Sequence, residues 1–304
     1  MGQRRRVDPG WLLLVTPVLW GATFPAAQLG IEQIGVLPFM AWTRVLGFIT
    51  ILVAVPLMAR GELRRASVRR VAGPGLFLGS LIFVAYVLQT YGLARTTATN
   101  AGFITGLYVV FVPVLALVLF RRRPGRAAWV AVVVSVAGMI LLSVPGLSDL
   151  RPRFGDVLVL ASAVVWAGHV VAVGRYAGRH SAVLLSLAQM GAAAGLHLLA
   201  AIPVGWNPVG ALDVWQLLVV TGVLGSGVAY TIQVLAQETI TATRAVVIMA
   251  GETVSAAAFA YVWVGDRLEP HQWLGAILVL LAMVVSELGA RRAAVTRLDP
   301  STVP

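Results

Sequence analysis

Polar residues along this chain come in short clusters, and the stretches between them are apolar for roughly a full membrane crossing. The apolar runs fall near 11–29, 38–58, 72–93, 99–120, 126–144, 154–174, 181–202, 213–236, 242–264 and 270–289. Each approaches the ~20 residues that a helix rising 1.5 Å per residue needs to cross about 30 Å of hydrocarbon. The pattern therefore predicts ten transmembrane helices. Proline and glycine punctuate several ends, as in LPFM, RRRPGR, SVPGLSD and GWNPVG. No connecting stretch is long enough for a soluble domain. The start, MGQRRRVDPGWLLLVTPVLWGATFPAAQ, imitates a signal peptide, but nine further runs follow, so it reads as an uncleaved first span.

Composition agrees with this reading. Of 304 residues 59% are hydrophobic and 12% charged, and mean hydropathy is +0.88; a soluble domain carries about 25% charged residues. The 23 basic residues are all arginine, and they concentrate in short segments between apolar runs. With both termini placed inside, seventeen arginines fall on inner segments (Arg4–Arg6, Arg60–Arg70, Arg121–Arg126, Arg175, Arg179 and Arg291–Arg297). Four (Arg95, Arg151, Arg153, Arg267) fall outside. Basic residues in short loops set orientation, so both termini are expected in the cytoplasm. The net charge of +11 is thus a topology signal, and nucleic acid is not an expected partner. With no cysteine, thiol nucleophiles, disulfides and Cys-ligated metals are excluded.

An internal repeat lies in register. Shifted by 144 residues, LQTYGLARTTATNA (88–101) falls on IQVLAQETITATRA (232–245), and 12 of the 52 positions from 88 to 139 are identical without a gap. Five spans per copy is an odd number, so the second copy must enter the membrane with opposite polarity. Inverted repeats of this kind place a binding site near the midplane where the halves meet.

The stretch VGDRLEPHQWLGAILVLLAMV (264–284) resembles the Gly-Glu-Arg-Leu-x-Pro-x-Gln-x-x-Gly signature of the EamA-type drug/metabolite transporter superfamily. Gly265, Arg267, Leu268, Pro270, Gln272 and Gly275 match, and Asp266 stands where the family usually has Glu. Upstream, Glu252-Thr253-Val254 keeps the family's Glu and Val but not the proline between them, and a straighter helix is expected there. In the first copy Arg121-Arg122 replaces the Gly-Glu pair. Trp20-Gly21, and Arg44 six residues after Pro38, also match. The resemblance covers essentially the whole chain. It implies an all-α basket of ten transmembrane helices in two inverted five-helix repeats (1–150 and 151–290, with a cytoplasmic tail 291–304). Helices 1–4 and 6–9 would surround a central cavity, with 5 and 10 as peripheral braces.

Glu252 is the anomaly in VVIMAGETVSAAAFAYVW (246–263). It lies about 15 Å deep, where an ionisable group costs on the order of 2.5–3.5 kcal/mol on insertion scales, so it should face a cavity or a partner. It is a candidate to bind a cationic group or carry a proton, or it is a structural carboxyl. Arg44 could pair with it, hold a substrate carboxylate, or snorkel outward; facing the cavity together, the two would suit an amino-acid-like zwitterion. Tyr108, the repeat partner of Glu252, and Trp20, Trp166, Tyr86, Gln89, Tyr230 and Gln233 are further lining candidates, though Trp and Tyr also serve packing and interfaces. His169, and likewise His197, relays protons or is structural. No HExxH or carboxylate–histidine cluster is present, so no metal or cofactor is expected. Gly191–Gly195 and Gly225-Ser226-Gly227 permit close helix approach rather than phosphate binding, and RGELRRASVRR (60–70) attracts anionic lipid headgroups.

These residues point to a carrier of small organic metabolites in the cell membrane. The resemblance implies export, although the residues do not fix direction, substrate or coupling. A passive channel or lipid scramblase is the nearer alternative, and an intramembrane enzyme, lacking nucleophile and base motifs, the more distant. Membrane lipids are expected partners, and a homodimer is left open.

Overall fold

The computed structural model describes residues 9–58, 68–96, 98–121, 124–143, 154–263 and 267–298. Gly265, a match in the VGDRLEP stretch, and Asp266, the departure beside it, fall outside these, as does most of RGELRRASVRR. Every regular element among the described residues is helical. Eight helices are long and apolar enough to cross a membrane: α1 (Leu13–Ile34), α2 (Val36–Met58), α3 (Arg69–Leu93), α4 (Ala101–Leu119), then α6 (Phe154–Arg179), α7 (Ala182–Val204), α8 (Trp215–Ala236) and α9 (Ala242–Trp263). Two shorter apolar helices, α5 (Arg126–Leu141) and α10 (Pro270–Ser286), occupy the fifth and tenth runs. The last helix continues to Leu298, into the segment expected as a tail.

Solvation is inside-out, as hydrocarbon demands. Val53 (67% exposed), Val118 and Val262 project outward, while Glu252, Arg44, Gln189 and His169 are buried. Helices cannot gain from hiding leucine among lipid tails, so close packing of small residues holds them together. A Cβ built on Gly79 would sit 2.5 Å from the Gln189 carbonyl oxygen, and one on Gly47 2.6 Å from the Ser226 Cβ. Gly191, Gly225 and Gly227 likewise abut side chains of Phe48, Thr23 and Thr50, whereas Gly195 faces open space.

The halves interlock in pairs. α3 packs on α6 and α7, α8 on α1 and α2, α4 on α6, and α9 on α1. α2 packs on α7, and α5 packs on α10. Exchanging each helix for its 144-residue counterpart returns the same set of contacts. The α10 signature explains itself within this frame. Pro270 opens the helix, and Gln272 Oε1 accepts from the Glu269 N–H at 2.8 Å, reaching back over the first turn as in a capping box. Gly275 brings its carbonyl oxygen within 2.6 Å of where a Cβ on Gly138 would stand, so the two short helices touch backbone to backbone.

The helix that carries Glu252 and its repeat counterpart are both broken. α4 is interrupted at Leu107, between Ala98–Gly106 and Tyr108–Phe120, and α9 at Ala250–Gly251, between Ala242–Met249 and Glu252–Trp263. Each break is tightened by i→i+3 bonds: Leu107 N–H to Ile104 O at 3.2 Å, and Gly251 N–H to Ile248 O at 3.2 Å. The straighter helix expected without a proline is therefore corrected. The turn is made by backbone tightening, not by a missing donor. In α8, Val219–Val228 winds as a π-helix, where Ser226 Oγ donates to Thr221 O five residues back at 2.7 Å.

Gly138→Val should destabilise the protein by about 1–3 kcal/mol, the usual cost of forcing atoms into a packed contact. Gly195→Ala, where nothing lies within 4 Å, should leave the melting temperature in detergent unchanged or raised.

Candidate functional site

A cavity of about 70 Å³ lies between the halves, enough for several water molecules at roughly 10–15 Å³ each on this measure. Nine of the ten candidate residues line it. Glu252 and Tyr108 enter from the breaks in α9 and α4, Tyr86 and Gln89 from α3, and Tyr230 and Gln233 from α8. Trp20 comes from α1, and Trp166 and His169 from α6. At its other edges lie Thr23, Phe24, Ala27, Thr90, Leu93, Thr105 and Val170, which the sequence reading passed over. Thr105 was within reach of that reading, because it precedes Tyr108 by three residues and so shares its helix face.

The walls are fixed by hydrogen bonds that cross between elements. Gln89 anchors one side: it donates from Nε2 to Thr105 Oγ1 at 2.9 Å and accepts the Trp166 indole N–H on Oε1 at 3.2 Å. Opposite, the Trp20 indole donates to the Gly225 carbonyl at 2.9 Å, at the π-helical stretch of α8. The repeat equivalent of Gln89 is held differently. Gln233 donates to Gln237, which donates to Val170 O, and Gln233 Oε1 keeps no partner. His169 Nε2 lies 3.0 Å from Gln189 Oε1, tying α6 to α7 behind the cavity. Aromatic rings form much of the surface: Tyr86 stands edge-on to Trp166 at 4.8 Å, and Trp20 packs on Tyr230 at 5.1 Å. The two hydroxyls of Tyr86 and Tyr230 meet at 3.3 Å, joining residues 144 positions apart.

Glu252 is 4% exposed, and its Oε1 has no hydrogen-bond partner. Tyr108 lies beside it, but its hydroxyl forms no well-shaped hydrogen bond. A carboxyl in hydrocarbon without donors is costly by several kcal/mol, so this group depends on the cavity for water or for a ligand.

Arg44 departs from expectation. It neither snorkels nor faces the chamber with Glu252; it is 4% exposed and lies outside the lining. Its guanidinium sits 3.7 Å from the centre of the Tyr86 ring and donates only to Thr43 Oγ1 at 3.1 Å, leaving Nε and Nη1 without partners. A desolvated cation–π contact supplies about 2 kcal/mol, less than the cost of burying a charge with unpaired donors. Among the described residues no group of His, Cys, Asp or Glu is arranged to hold a metal.

The fold and this chamber define a multi-pass membrane protein whose two halves line one common cavity. The chain belongs to the EamA-like transporter family, whose model matches residues 9–144 and again 153–287. It is therefore a membrane transporter of that family. A transporter of Archaeoglobus fulgidus, described only as uncharacterized, is 28% identical over 91% of this chain and 84% of its own length. The uncharacterized transporter YwfM of Bacillus subtilis is 22% identical over 92% and 94%. The inner membrane protein YtfF of Escherichia coli is 29% identical over 54% of each. A crystal structure covers 93% of this chain and 98% of its own at a TM-score of 0.74 and 20% identity, a likeness of fold.

Gln89→Leu should orphan the Trp166 indole N–H and cost about 1–3 kcal/mol. Thermal unfolding in detergent measures the loss.

Proposed function

We propose that this transporter is a secondary carrier of small organic metabolites or amino-acid-like solutes, exporting them by alternating access. In this reading α5 and α10 also cross the membrane, giving ten spans as two inverted five-helix repeats. Both termini face the cytoplasm of the cell's inner or plasma membrane. The observation that carries the proposal is Glu252: a buried carboxyl whose Oε1 has no partner, at the break of α9 and opening on a chamber to which both halves contribute. The contact set that returns under exchange of the halves supports two interconvertible forms, one open to each side. The chamber's aromatic walls with a few polar tips suit a small amphipathic solute. Glu252 binds the cationic group of that solute or exchanges a proton for it.

Purified protein in proteoliposomes should show saturable counterflow with a panel of amino acids, amines and drugs. Glu252→Gln should reduce it at least tenfold, whereas unsaturable flux without trans-stimulation would mark a channel or scramblase and defeat the reading. Runs with and without a pH gradient decide whether the carboxyl couples protons. Orientation is open to a second measurement, because the chain has no native cysteine. A cysteine at Val204, exposed at the end of α7, should react with an impermeant maleimide applied to intact cells. One at Gly178, at the opposite end, should react only after lysis.

A further inference from the structure

The geometry points to Arg44 as an anion subsite, shut in this conformation by the Tyr86–Tyr230 pair and reached when that pair parts. The inference rests on the carrier reading above and deepens it. Arg44 is 4% exposed and forms no ion pair among the described residues, and two of its three nitrogens donate to nothing. The Tyr86 ring covers it at 3.7 Å, and the Tyr86 hydroxyl is held at 3.3 Å by the Tyr230 hydroxyl. Tyr86 and Tyr230 line the chamber with Glu252 and Arg44 does not, so the ring that covers the buried cation is also part of the chamber wall. The remaining titratable neighbour is His197. Its Nδ1 lies 2.7 Å from Ala193 O, its Nε2 has no partner, and its ring packs against Tyr86 and Phe83. Nothing anionic among these groups balances the guanidinium.

The repeat sharpens the point. Shifted by 144, Arg44 falls on Ala188 and Glu252 falls on Tyr108, while Tyr86 falls on Tyr230. The scaffold and the tyrosine pair are duplicated; the charges are not. A solute with a cationic and an anionic group therefore meets a field with one direction, cation to Glu252 and anion to Arg44. Its carboxylate replaces the Tyr86 ring with charge-assisted hydrogen bonds, roughly twice as strong as neutral ones. Docking of the anionic end then parts the two hydroxyls that link the halves.

The test pairs each amino acid of a transport panel with the amine lacking its carboxylate and with the acid lacking its amine. In wild-type proteoliposomes the amino acid should be taken up in preference to the amine, and the matched acid should compete for entry. Arg44→Gln should lower amino-acid uptake at least tenfold with amine uptake changed less than twofold, so that the amine reports folding. Arg44→Lys, which keeps the charge but loses the planar fork, should fall between. An unchanged amino-acid to amine ratio in Arg44→Gln, an equal loss of both, or no competition by the acid in wild type each overturns the subsite while leaving the carrier standing. A wild-type protein that carries no member of the panel overturns the carrier reading and the subsite with it.

Discussion

Hydrocarbon offers no hydrogen bonds, and most of this architecture answers that constraint. Each polar group inside the helices has to find its partner in the chain, in trapped water or in cargo. Most find it in the chain: the amide of Gln89 serves both Trp166 and Thr105, and Gln237 spans to the backbone of α6. Several of the exceptions gather at one place, while those at Thr16, Ser186, Gln189 and His197 lie outside the chamber's lining. Glu252 Oε1, Tyr108 Oη and Gln233 Oε1 belong to residues lining one chamber, and the free nitrogens of Arg44 sit behind its tyrosine wall. In a protein that must bind and release a solute, unsatisfied groups at the binding place leave work for the ligand to do.

Much of this was legible from the chain because membrane solvation writes large signals. Apolar runs of helix length located α1–α4 and α6–α9, and the 144-residue register laid 88–139 on 232–283. Glu252 declared itself by cost alone. A charge at mid-depth in VVIMAGETVSAAAFAYVW had to face something wet. The paired amides Gln89 and Gln233 were visible for the same reason, as polar groups repeated where polarity is expensive.

What stayed hidden depends on side-chain geometry that periodicity does not encode. Arg44 could pair, bind or snorkel, and only the position of the Tyr86 ring decides among these. The break in α9 carries no proline, and the π-helical stretch of α8, VVTGVLGSGV, has a composition that regular membrane helices also carry. Placing Gly138 against Gly275 required knowing that α5 and α10 are neighbours, which no local pattern states. The family signature was readable as a word before its meaning was. Gln272 serves the start of a helix and Gly275 its crossing, so the motif marks construction and says little about cargo.

The rods of this bundle differ in length. Followed to its end, α5 covers the 18 residues Arg126–Ser143, about 27 Å, while the 25 residues of α3 extend to about 37 Å. α3 is thus longer than the ~30 Å of hydrocarbon in an average bilayer and α5 a little shorter, a mismatch met by tilting the long rod and pinching the lipid beside the short one. Bilayer thickness therefore bears on these two helices in opposite senses: a thicker membrane lets α3 stand upright and strains the lipid at α5.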